Sequence, residues 1–427
     1  MWVKIGDIRF LLHSLWHIAI VYACYICGYS RYNCIKWLTG RLAKINIFYV
    51  KIFQMLSTNA FLFSNEEIAL LSQYTDEVPY DQSDIDDSFR NTINEIGREN
   101  ESLSIELRHQ GLPIKAGTIS VVYDGYIEGR HVVIKVQRKK AKENLYKAFN
   151  QFDILLKILS CFSSIKNLNL HEILRENRNA LLSQTDFLKE LENAERMRKN
   201  FHYIDYIDIP KVYPEFTEKN SSMIVMDFIE GKSIDLVADS DKDMYALLFA
   251  RYVSKCIFFD RFFHADMHPG NIRFIEDDDS QKGKIRRIGI IDFGIMGEIT
   301  REEQDTAYRA YQMLDNNDWE NLVELALEYY IEPKENVINM SFDNVKKVKE
   351  ELIRTMSEPE WSNIGPEGLF ALSKCLKPYN LCISKSFSKI ELAVCVSASI
   401  HLSLGMDNDF KTAMKEAFGR IAAWELN

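Results

Sequence analysis

The sequence predicts an α+β fold of two lobes, in which a β-rich N-terminal lobe is followed by a mostly helical C-terminal lobe. Short runs rich in β-branched and aromatic residues occur at 119–123 and 131–136. Long helical patterns follow at 142–160 and 170–200, and helical patterns dominate again after residue 241. With 427 residues, 47% of them hydrophobic, the chain can bury a substantial core.

Local signals mark the remaining elements. Residues 43–60 follow a helical pattern, and Ser64 and Glu67 form a capping box that opens the next helix. Two further strands are predicted at 211–213 and 223–228. The sequence contains no internal repeat and no low-complexity segment, so the chain is not a repeat protein.

Charge and cysteine content restrict the class of protein. The formal net charge is -10 and the pI is near 5.5, which argues against nucleic-acid binding, because such proteins carry a net basic face. The eight cysteines are scattered and lie mostly in apolar stretches. That pattern is typical of reduced, buried thiols in a cytosol-like compartment.

The first apolar segment, Phe10–Tyr29, contains no Asp, Glu, Lys or Arg. It is long enough to cross a bilayer as a helix, which takes about 20 residues. Against a span, His13 and His17 would be costly in the middle of a membrane. The sequence leaves two interpretations open, a membrane-embedded or membrane-surface helix and a helix packed on the protein's own body. Basic residues after the segment favour a body on the cytosolic side; they are Arg31, Lys36, Arg41 and Lys44.

Two motifs in the second half of the chain carry the chemistry. Residues 264–271 read HADMHPGN, and residues 288–294 form a strand-like run that ends in Asp-Phe-Gly. Kinase-like phosphotransferases need one Asp to orient or deprotonate the nucleophile, and an Asn and a second Asp to hold Mg²⁺ on the nucleotide phosphates. Asp266, Asn271 and Asp292 meet that demand. Together with the order of elements, the motifs predict a bilobal protein-kinase-like fold.

A kinase-like site also needs a strand lysine that is held by a helix glutamate and contacts the α- and β-phosphates. Lys135 ends the run Val-Val-Ile-Lys, where a solvent-facing lysine is the simpler interpretation of the residue alone. Glu190, on the following helical run, is the candidate partner. Glu192 and Glu195 compete with it, and spacing alone does not separate the three.

A nucleotide-covering loop is predicted at Ala116, Gly117 and Thr118, although an ordinary β-turn fits the same residues. Its backbone N–H groups can contact phosphate if the turn leaves them free. After Gly294 there is no room for a long activation loop, because Thr300 opens a capping box and a helix. Without that peptide-docking segment, a small-molecule phosphotransferase or an ATPase is favoured over a conventional protein kinase.

His264, Asp266 and His268 also allow a rival interpretation as the metal site of a hydrolase, because two histidines and a carboxylate can ligate zinc or iron. A hydrolase needs neither the Asp-Phe-Gly motif nor Lys135 on a strand. The joint presence and order of these features favour the kinase-like interpretation. The two histidines are then expected to fix the loop through bonds to the backbone.

These motifs resemble the UbiB-like atypical kinase family, the ADCK group associated with coenzyme Q biosynthesis. The resemblance covers about residues 45–300. It implies a protein-kinase-like fold, ATP and Mg²⁺ as cofactors, membrane or lipid association, and ATPase activity with little phosphorylation of other proteins. The matching segments are VKIFQMLST (50–58), ENAERMRKNF (192–201), PKVYP (210–214), VMDFIEG (225–231), FFHADMHPGNI (262–272) and IIDFGIMGEI (290–299).

The resemblance assigns each catalytic position to a residue of this chain. The family's invariant lysine falls on Lys135 and its helix glutamate falls on Glu190. The catalytic-loop Asp and Asn fall on Asp266 and Asn271, and the Asp of the Asp-Phe-Gly motif falls on Asp292. Nucleotide binding is thereby implied for Lys135, Asn271 and Asp292, and metal binding for the last two.

Three family-specific elements have diverged in this chain. The family's Lys-x-Gly-Gln motif, on a helix that folds over the active site, reads KIFQ at 51–54, and the alanine-rich loop reads KAGT at 115–118. The Glu-x-Asp motif, which normally meets the lysine of the first motif, reads QTD at 184–186. The resemblance implies that the covering helix occludes the pocket less tightly here than in relatives with intact motifs. The implied regulatory residues are Lys51, Gln54, Gln184 and Asp186.

Four segments are predicted: a hydrophobic N-terminal helix and candidate membrane segment (1–44), a helical extension over the active site (45–110), a kinase-like N-lobe with inserted helices (111–230), and a helical C-lobe with the catalytic loop (231–427). The predicted function is an ATP·Mg²⁺-dependent atypical kinase or ATPase that acts on a lipid or isoprenoid small molecule in lipid or isoprenoid-quinone metabolism. The alternatives are a small-molecule kinase of the aminoglycoside- or choline-kinase type and a nucleotide-binding scaffold without turnover.

Overall fold

A computed structural model of the chain describes residues 5–57, 64, 66–67, 70, 80–161, 170–279, 283–357, 366–384, 400 and 403–404. The α-helices of this part are α1 (Ile5–Ile26), α2 (Arg31–Ala43), α3 (Phe48–Ser57), α4 (Ser88–Glu99), α5 (Ala141–Leu159), α6 (Leu170–Ser183), α7 (Phe187–Asn200), α8 (Pro214–Lys219), α9 (Asp239–Lys255), α10 (Arg301–Asp315), α11 (Trp319–Leu325), α12 (Lys334–Ile338), α13 (Phe342–Ser357) and α14 (Pro366–Leu376). The strands are β1 (Ile105–Leu107), β2 (Lys115–Ala116), β3 (Ser120–Ile127), β4 (Arg130–Gln137), β5 (Ile207–Asp208), β6 (Met223–Asp227), β7 (Phe262–His264), β8 (Ile272–Asp279), β9 (Gly283–Ile290), β10 (Met296–Glu298), β11 (Ile331–Glu332) and β12 (Cys382–Ile383).

The chain forms two compact units. One unit comprises residues 1–192 and 211–228, and the other comprises residues 193–210 and 229–427. Each unit has its own sheet and its own hydrophobic core.

The first unit contains an antiparallel sheet in the order β1–β3–β4–β6, with β2 also paired to β3. Alternate residues of β4 point into the core, where Val132 and Val136 are buried. The run at 211–213 does not form the predicted strand. Prolines bound this run and α8 begins directly after it, so Val212 makes only an isolated bridge to Met226.

The helical pattern over 43–60 corresponds to α3, which begins at Phe48 because the chain turns between α2 and α3. The turn is caused by Asn46, whose side-chain oxygen accepts the backbone N–H of Phe48 (3.1 Å) and whose amide donates to the carbonyl of Asn144 (3.2 Å). Asparagine side chains compete in this way for backbone groups and favour the start of a helix over its interior. The predicted helix is therefore confirmed over 48–57, with a start five residues later than expected.

The pattern over 170–200 is likewise divided, into α6 and α7. The carboxylate of Asp186 accepts the backbone N–H of Lys189 (3.1 Å), which is the third residue of α7. Asp186 thus caps the N-terminus of α7. The directions of the side chains on α7 are therefore not a continuation of those on α6. The side chains on α7 accordingly face directions that a single helix from residue 170 would not predict.

Helix α1 has two unlike faces. On one face Phe10 packs against Tyr49 and Phe152, with ring centroids 4.8 and 6.1 Å away, so that α1 joins the core shared by α3 and α5. On the other face Leu12 and Trp16 are each 66% exposed. An apolar window of 19 residues, with a mean hydropathy of 1.3, is long and apolar enough to cross a membrane by length and composition.

The second unit carries both sequence motifs between short strands. Strands β8 and β9 form a long antiparallel hairpin in which Ile272 pairs with Ile290, and β5 joins β9 in parallel. Helix α9 packs on this hairpin through Tyr245, whose hydroxyl donates to the carbonyl of Ile275 (2.8 Å). Strands β7 and β10 form a second antiparallel pair. The HADMHPGN motif therefore connects β7 to β8, and the Asp-Phe-Gly motif connects β9 to β10.

Candidate active site

Lys135 and Glu190 form an ion pair in the first unit. Lys135 lies on β4, between Val122 of β3 and Ile224 of β6, and its Nζ is 2.6 Å from Oε1 of Glu190 on α7. The Lys135 side chain is 15% exposed and that of Glu190 is 4% exposed. Glu192, by contrast, is exposed and pairs with a neighbouring lysine on the same helix. The helix phase thus points Glu190, and not Glu192, at the strand.

The catalytic-loop motif in the second unit is folded around Asn271. The backbone N–H of Asn271 donates to the carbonyl of His268 (2.9 Å), and its side-chain amide donates to the carbonyl of Asp266 (3.2 Å). With its nitrogen committed to the loop, the amide presents its oxygen as an acceptor. Asn271 is largely buried, so this orientation is held in place.

The Asp-Phe-Gly motif is fixed by its neighbours in the same unit. The Asp292 carboxylate accepts the backbone N–H of Gly294 (3.1 Å). Phe293 is fully buried, and its carbonyl accepts the side-chain amide of Asn193 (2.9 Å). Asn193 was missed by the sequence reasoning. The sequence shows only that Asn193 lies inside the segment ENAERMRKNF. An amide in a helix is not in itself evidence of a function.

Backbone hydrogen bonds join the two motifs side by side. The N–H of Ile291 donates to the carbonyl of Asn271 (3.1 Å), and the N–H of Ala265 donates to the carbonyl of Ile295 (3.0 Å). These bonds lie at opposite ends of the two loops. Asp266, Asn271 and Asp292 are therefore carried on a pair of loops that are bonded to each other at both ends.

His264 bridges the same two motifs. Its Nδ1 accepts the backbone N–H of Asp266 (3.0 Å), so its Nε2 carries the proton and donates to the carbonyl of Asp292 (3.0 Å). Burial lowers the pKa of His264, which favours this neutral form. His268 accepts the backbone N–H of Gly270 through Nδ1 (3.1 Å). The expectation that both histidines fix the loop through backbone bonds is confirmed.

The turn at Ala116, Gly117 and Thr118 is held closed. The N–H of Gly117 donates to the carbonyl of Ser120 (2.8 Å), so this N–H is not free for a phosphate. The carbonyl of Gly117 accepts Nε of Arg138 (3.0 Å), a residue that the sequence reasoning missed. Gly117 has no positive φ, so its conformation does not require glycine.

The regulatory residues lie on separate elements of the first unit. Lys51 is half-buried on α3, and the side chain of Gln54 lies outside the described residues. Gln184 follows α6, and Asp186 caps α7. Within the described ranges, no ion pair joins Lys51 to Asp186. Nor do three or more His, Cys, Asp or Glu side chains of the described residues group as ligands for a metal.

The fold and the paired loops define the class of this molecule, a kinase-like protein of the α+β type. The model of the ABC1 atypical kinase-like domain matches residues 75–326, more than half of the chain, and the chain belongs to this family. The expected resemblance to UbiB-like and ADCK-type proteins and the expected fold class are thereby confirmed.

Curated relatives carry kinase names. The chain is 30% identical over 305 residues to a "Probable protein kinase UbiB" of Actinobacillus pleuropneumoniae, covering 67% of this chain and 53% of the relative. It is 26% identical over 309 residues to "Protein ACTIVITY OF BC1 COMPLEX KINASE 8, chloroplastic" of Arabidopsis thaliana, covering 69% of this chain and 38% of the relative. The chain thus spans about half or less of the length of these relatives.

Solved structures show a more distant likeness. The Rv3197–erythromycin complex from Mycobacterium tuberculosis has a TM-score of 0.46 and 14% identity, covering 78% of this chain and 87% of that one. The Rio2 kinase–ADP/Mg²⁺–phosphoaspartate complex from Chaetomium thermophilum has a TM-score of 0.30 and 10% identity, covering 78% of this chain and 96% of that one.

Proposed function

We propose that this protein binds ATP·Mg²⁺ and either hydrolyses it or transfers its phosphoryl group to a small molecule. The observation that carries the proposal is the pair of bonded loops that present Asp266, Asn271 and Asp292. Phosphoryl transfer depends mostly on positioning and charge stabilisation, which such preorganised loops supply.

Each residue has a distinct role in this proposal. Lys135, oriented by Glu190, contacts the α- and β-phosphates. Asp266 accepts a hydrogen bond from the attacking hydroxyl or water and orients it. Asn271 and Asp292 supply an amide oxygen and a carboxylate, which are the hard oxygen donors that suit Mg²⁺. When bound, the metal would neutralise charge on the phosphates.

The acceptor is proposed to be a lipid or isoprenoid small molecule, with the protein associated with a membrane. Two observations support this. Helix α10 begins at Arg301, directly after the Asp-Phe-Gly motif and β10, with the predicted capping box between Thr300 and Glu303 in place, so a long peptide-docking loop has no room. The apolar helix α1 exposes one face, which a membrane would cover.

The proposal is tested by thermal unfolding with ATP. Because a ligand that binds only the native state stabilises it, ATP should raise the midpoint and the rise should require Mg²⁺. Asp292→Asn should abolish the rise, whereas Asp243→Asn, which removes an exposed carboxylate elsewhere in the second unit, should keep it. Asp266→Asn should keep the rise but lose ATP turnover. Equal stabilisation without divalent metal would contradict the site; stabilisation without turnover in the wild type would favour the scaffold alternative.

A further inference from the structure

A cavity in the first unit is lined by basic residues. It has a volume of about 1040 Å³, which is ample for a small-molecule ligand. Its walls come from α1, α2, α3, the end of β4 and α5. The basic side chains in its lining are Arg9, Lys44, Arg138, Lys139 and Lys147. The concentration of positive charge is notable because the whole chain carries a formal net charge of -10.

Most of these cations have no anionic partner among the described residues. None of Arg9, Lys44, Lys139 and Lys147 pairs with a carboxylate in the part of the chain that the structure describes, and all four are exposed. The lining contains one carboxylate, Asp84, and it already binds the buried Arg138 at 3.0 Å. The cavity therefore has unbalanced positive charge, which an anion would compensate.

The floor of the cavity is apolar. It contains Phe10, Phe48 and Tyr49, all of which are buried. The Tyr49 hydroxyl donates to the side-chain oxygen of the buried Gln151, which ties α3 to α5 beneath the cavity. A ligand that fills this space would meet a cationic rim and an apolar base, a combination that suits an amphiphile.

An apolar groove adjoins the cavity along the exposed face of α1. It is lined by Ile8, Leu12 and Trp16, which recur every four residues and so lie on one side of the helix. Arg9 and His13 line both the groove and the cavity, so the two are continuous. Further along α1, Tyr22 and Tyr25 are also exposed. Exposed Trp and Tyr side chains beside basic residues are typical of the boundary between lipid headgroups and acyl chains.

We propose that this cavity and groove form a binding site for an anionic phospholipid. The phosphate of the headgroup lies among Lys44, Lys139 and Lys147, and an acyl chain lies along the groove of α1. The apolar groove distinguishes this occupant from a soluble phosphate, which would gain nothing from Leu12 and Trp16. The site goes beyond the proposed phosphotransfer, and it requires α1 to lie along the membrane surface.

The first test is flotation of the full chain with vesicles of phosphatidylcholine, with and without phosphatidylglycerol, in the absence of nucleotide. The wild type should float well only with the anionic vesicles. Lys44→Gln combined with Lys147→Gln should weaken partitioning by about 30-fold, the effect of two lysines near an anionic surface. Because no nucleotide is present, the result is independent of the proposed phosphotransfer.

The matched control removes two exposed lysines that do not line the cavity, through Lys347→Gln and Lys374→Gln. Its partitioning should change by less than about twofold, because neither lysine belongs to the cavity. An equal loss in both double variants, or a loss in neither, would overturn the cavity as the site. So would strong flotation of the wild type with pure phosphatidylcholine. The thermal unfolding midpoint of each variant verifies that it is folded.

Two further measurements separate lipid from soluble phosphate. If glycerol phosphate displaces the protein from anionic vesicles, the cavity binds a soluble phosphate and the lipid proposal is wrong; we expect no displacement. Anionic vesicles should also shift tryptophan emission to shorter wavelength in the wild type, and Trp16→Phe should remove most of that shift. A shift that persists in Trp16→Phe would show that the α1 groove is not the acyl-chain site.

Discussion

Two lysines of this protein form ion pairs of the same length in very different surroundings. Lys135 and Glu190 in the first unit, and Lys255 and Asp260 in the second, are each separated by 2.6 Å. The side chain of Lys255 is only 2% exposed, and its Nζ lies 5.1 and 5.3 Å from the ring centres of Phe201 and Tyr203. The side chain of Lys135, in contrast, is 15% exposed.

Distance alone therefore does not reveal the role of an ion pair. Lys255 is enclosed by aromatic rings, which stabilise a cation but leave no access for a ligand. Lys135 lies on a strand with its amino group partly open, so a phosphate can approach it. We interpret the Lys255–Asp260 pair as part of the fold and the Lys135–Glu190 pair as part of the proposed nucleotide site.

The largest expected effect is on stability, through Lys255→Met. The change removes the lysine partner of Asp260, whose side chain is only 12% exposed, and it costs about 3–5 kcal/mol of unfolding free energy. Urea unfolding of the full chain measures this loss. Lys349→Met is the control, because Lys349 pairs with Glu324 at the surface and should contribute only about 0–1 kcal/mol. Similar losses from both variants would remove the distinction between enclosed and open pairs.

Lys135→Met should separate function from stability. Loss of a positioned charge on the transferring phosphate is expected to lower ATP turnover by about 10²–10³-fold. The unfolding free energy should fall by less than in Lys255→Met, because Lys135 is the more solvated of the two lysines. Steady-state ATP hydrolysis and urea unfolding on the same preparation test both statements. Unchanged turnover with a large loss of stability would make Lys135 a structural residue as well.

Asn193→Ala should have an intermediate effect. It removes the amide that binds the buried carbonyl of Phe293, and an unsatisfied buried carbonyl costs about 1–3 kcal/mol. Since Phe293 follows Asp292, the Mg²⁺-dependent stabilisation by ATP should also decrease. Asn200→Ala, on the same helix but without that contact, is the control for helix propensity. If Asn193→Ala lowers stability yet leaves the Mg²⁺ dependence intact, Asn193 does not position the Asp-Phe-Gly motif.

The smallest effect concerns Asp186, for which two roles compete. If Asp186 acts as the N-cap of α7, Asp186→Ala should lower the unfolding free energy of the protein by about 1 kcal/mol. Asp186→Ser should retain most of that free energy, because serine also caps helices. If its role is instead to pair with Lys51, serine cannot replace it, and both variants should raise autophosphorylation to the same extent. Urea unfolding and autophosphorylation of the two variants distinguish capping from pairing.

Much of the candidate site could be predicted from the sequence because its chemistry is local. Asp266 and Asn271 lie in one loop, and Asp292 ends the next strand hairpin, so residue types and spacing already define the two motifs. The alternation that places Lys135 on β4 is also a local pattern. The histidines of the loop were assigned correctly for the same reason, since their backbone partners lie in or beside the motifs.

Other features arise because side chains compete with the helix for backbone hydrogen bonds, which no local pattern shows. The breaks before α3 and α7 arise because Asn46 and Asp186 bind backbone groups that a continuous helix would have used. The pattern over 170–200 is apolar at helical spacing on both sides of the break, so periodicity predicts one helix. The position of the cap on α7 then determines that Glu190, rather than Glu192 or Glu195, faces Lys135.

The family, the motifs and the class of fold could be predicted from the sequence, because they depend on residue types at fixed spacing. The contact of Glu190 with Lys135, the bond from Asn193 to Phe293 and the pairing of the two loops follow from tertiary packing. Tertiary packing also forms the basic cavity, whose cations lie on α1 and α5 and directly after α2 and β4. Residues so far apart along the chain meet only through packing of the core, and that packing is a property of the whole unit.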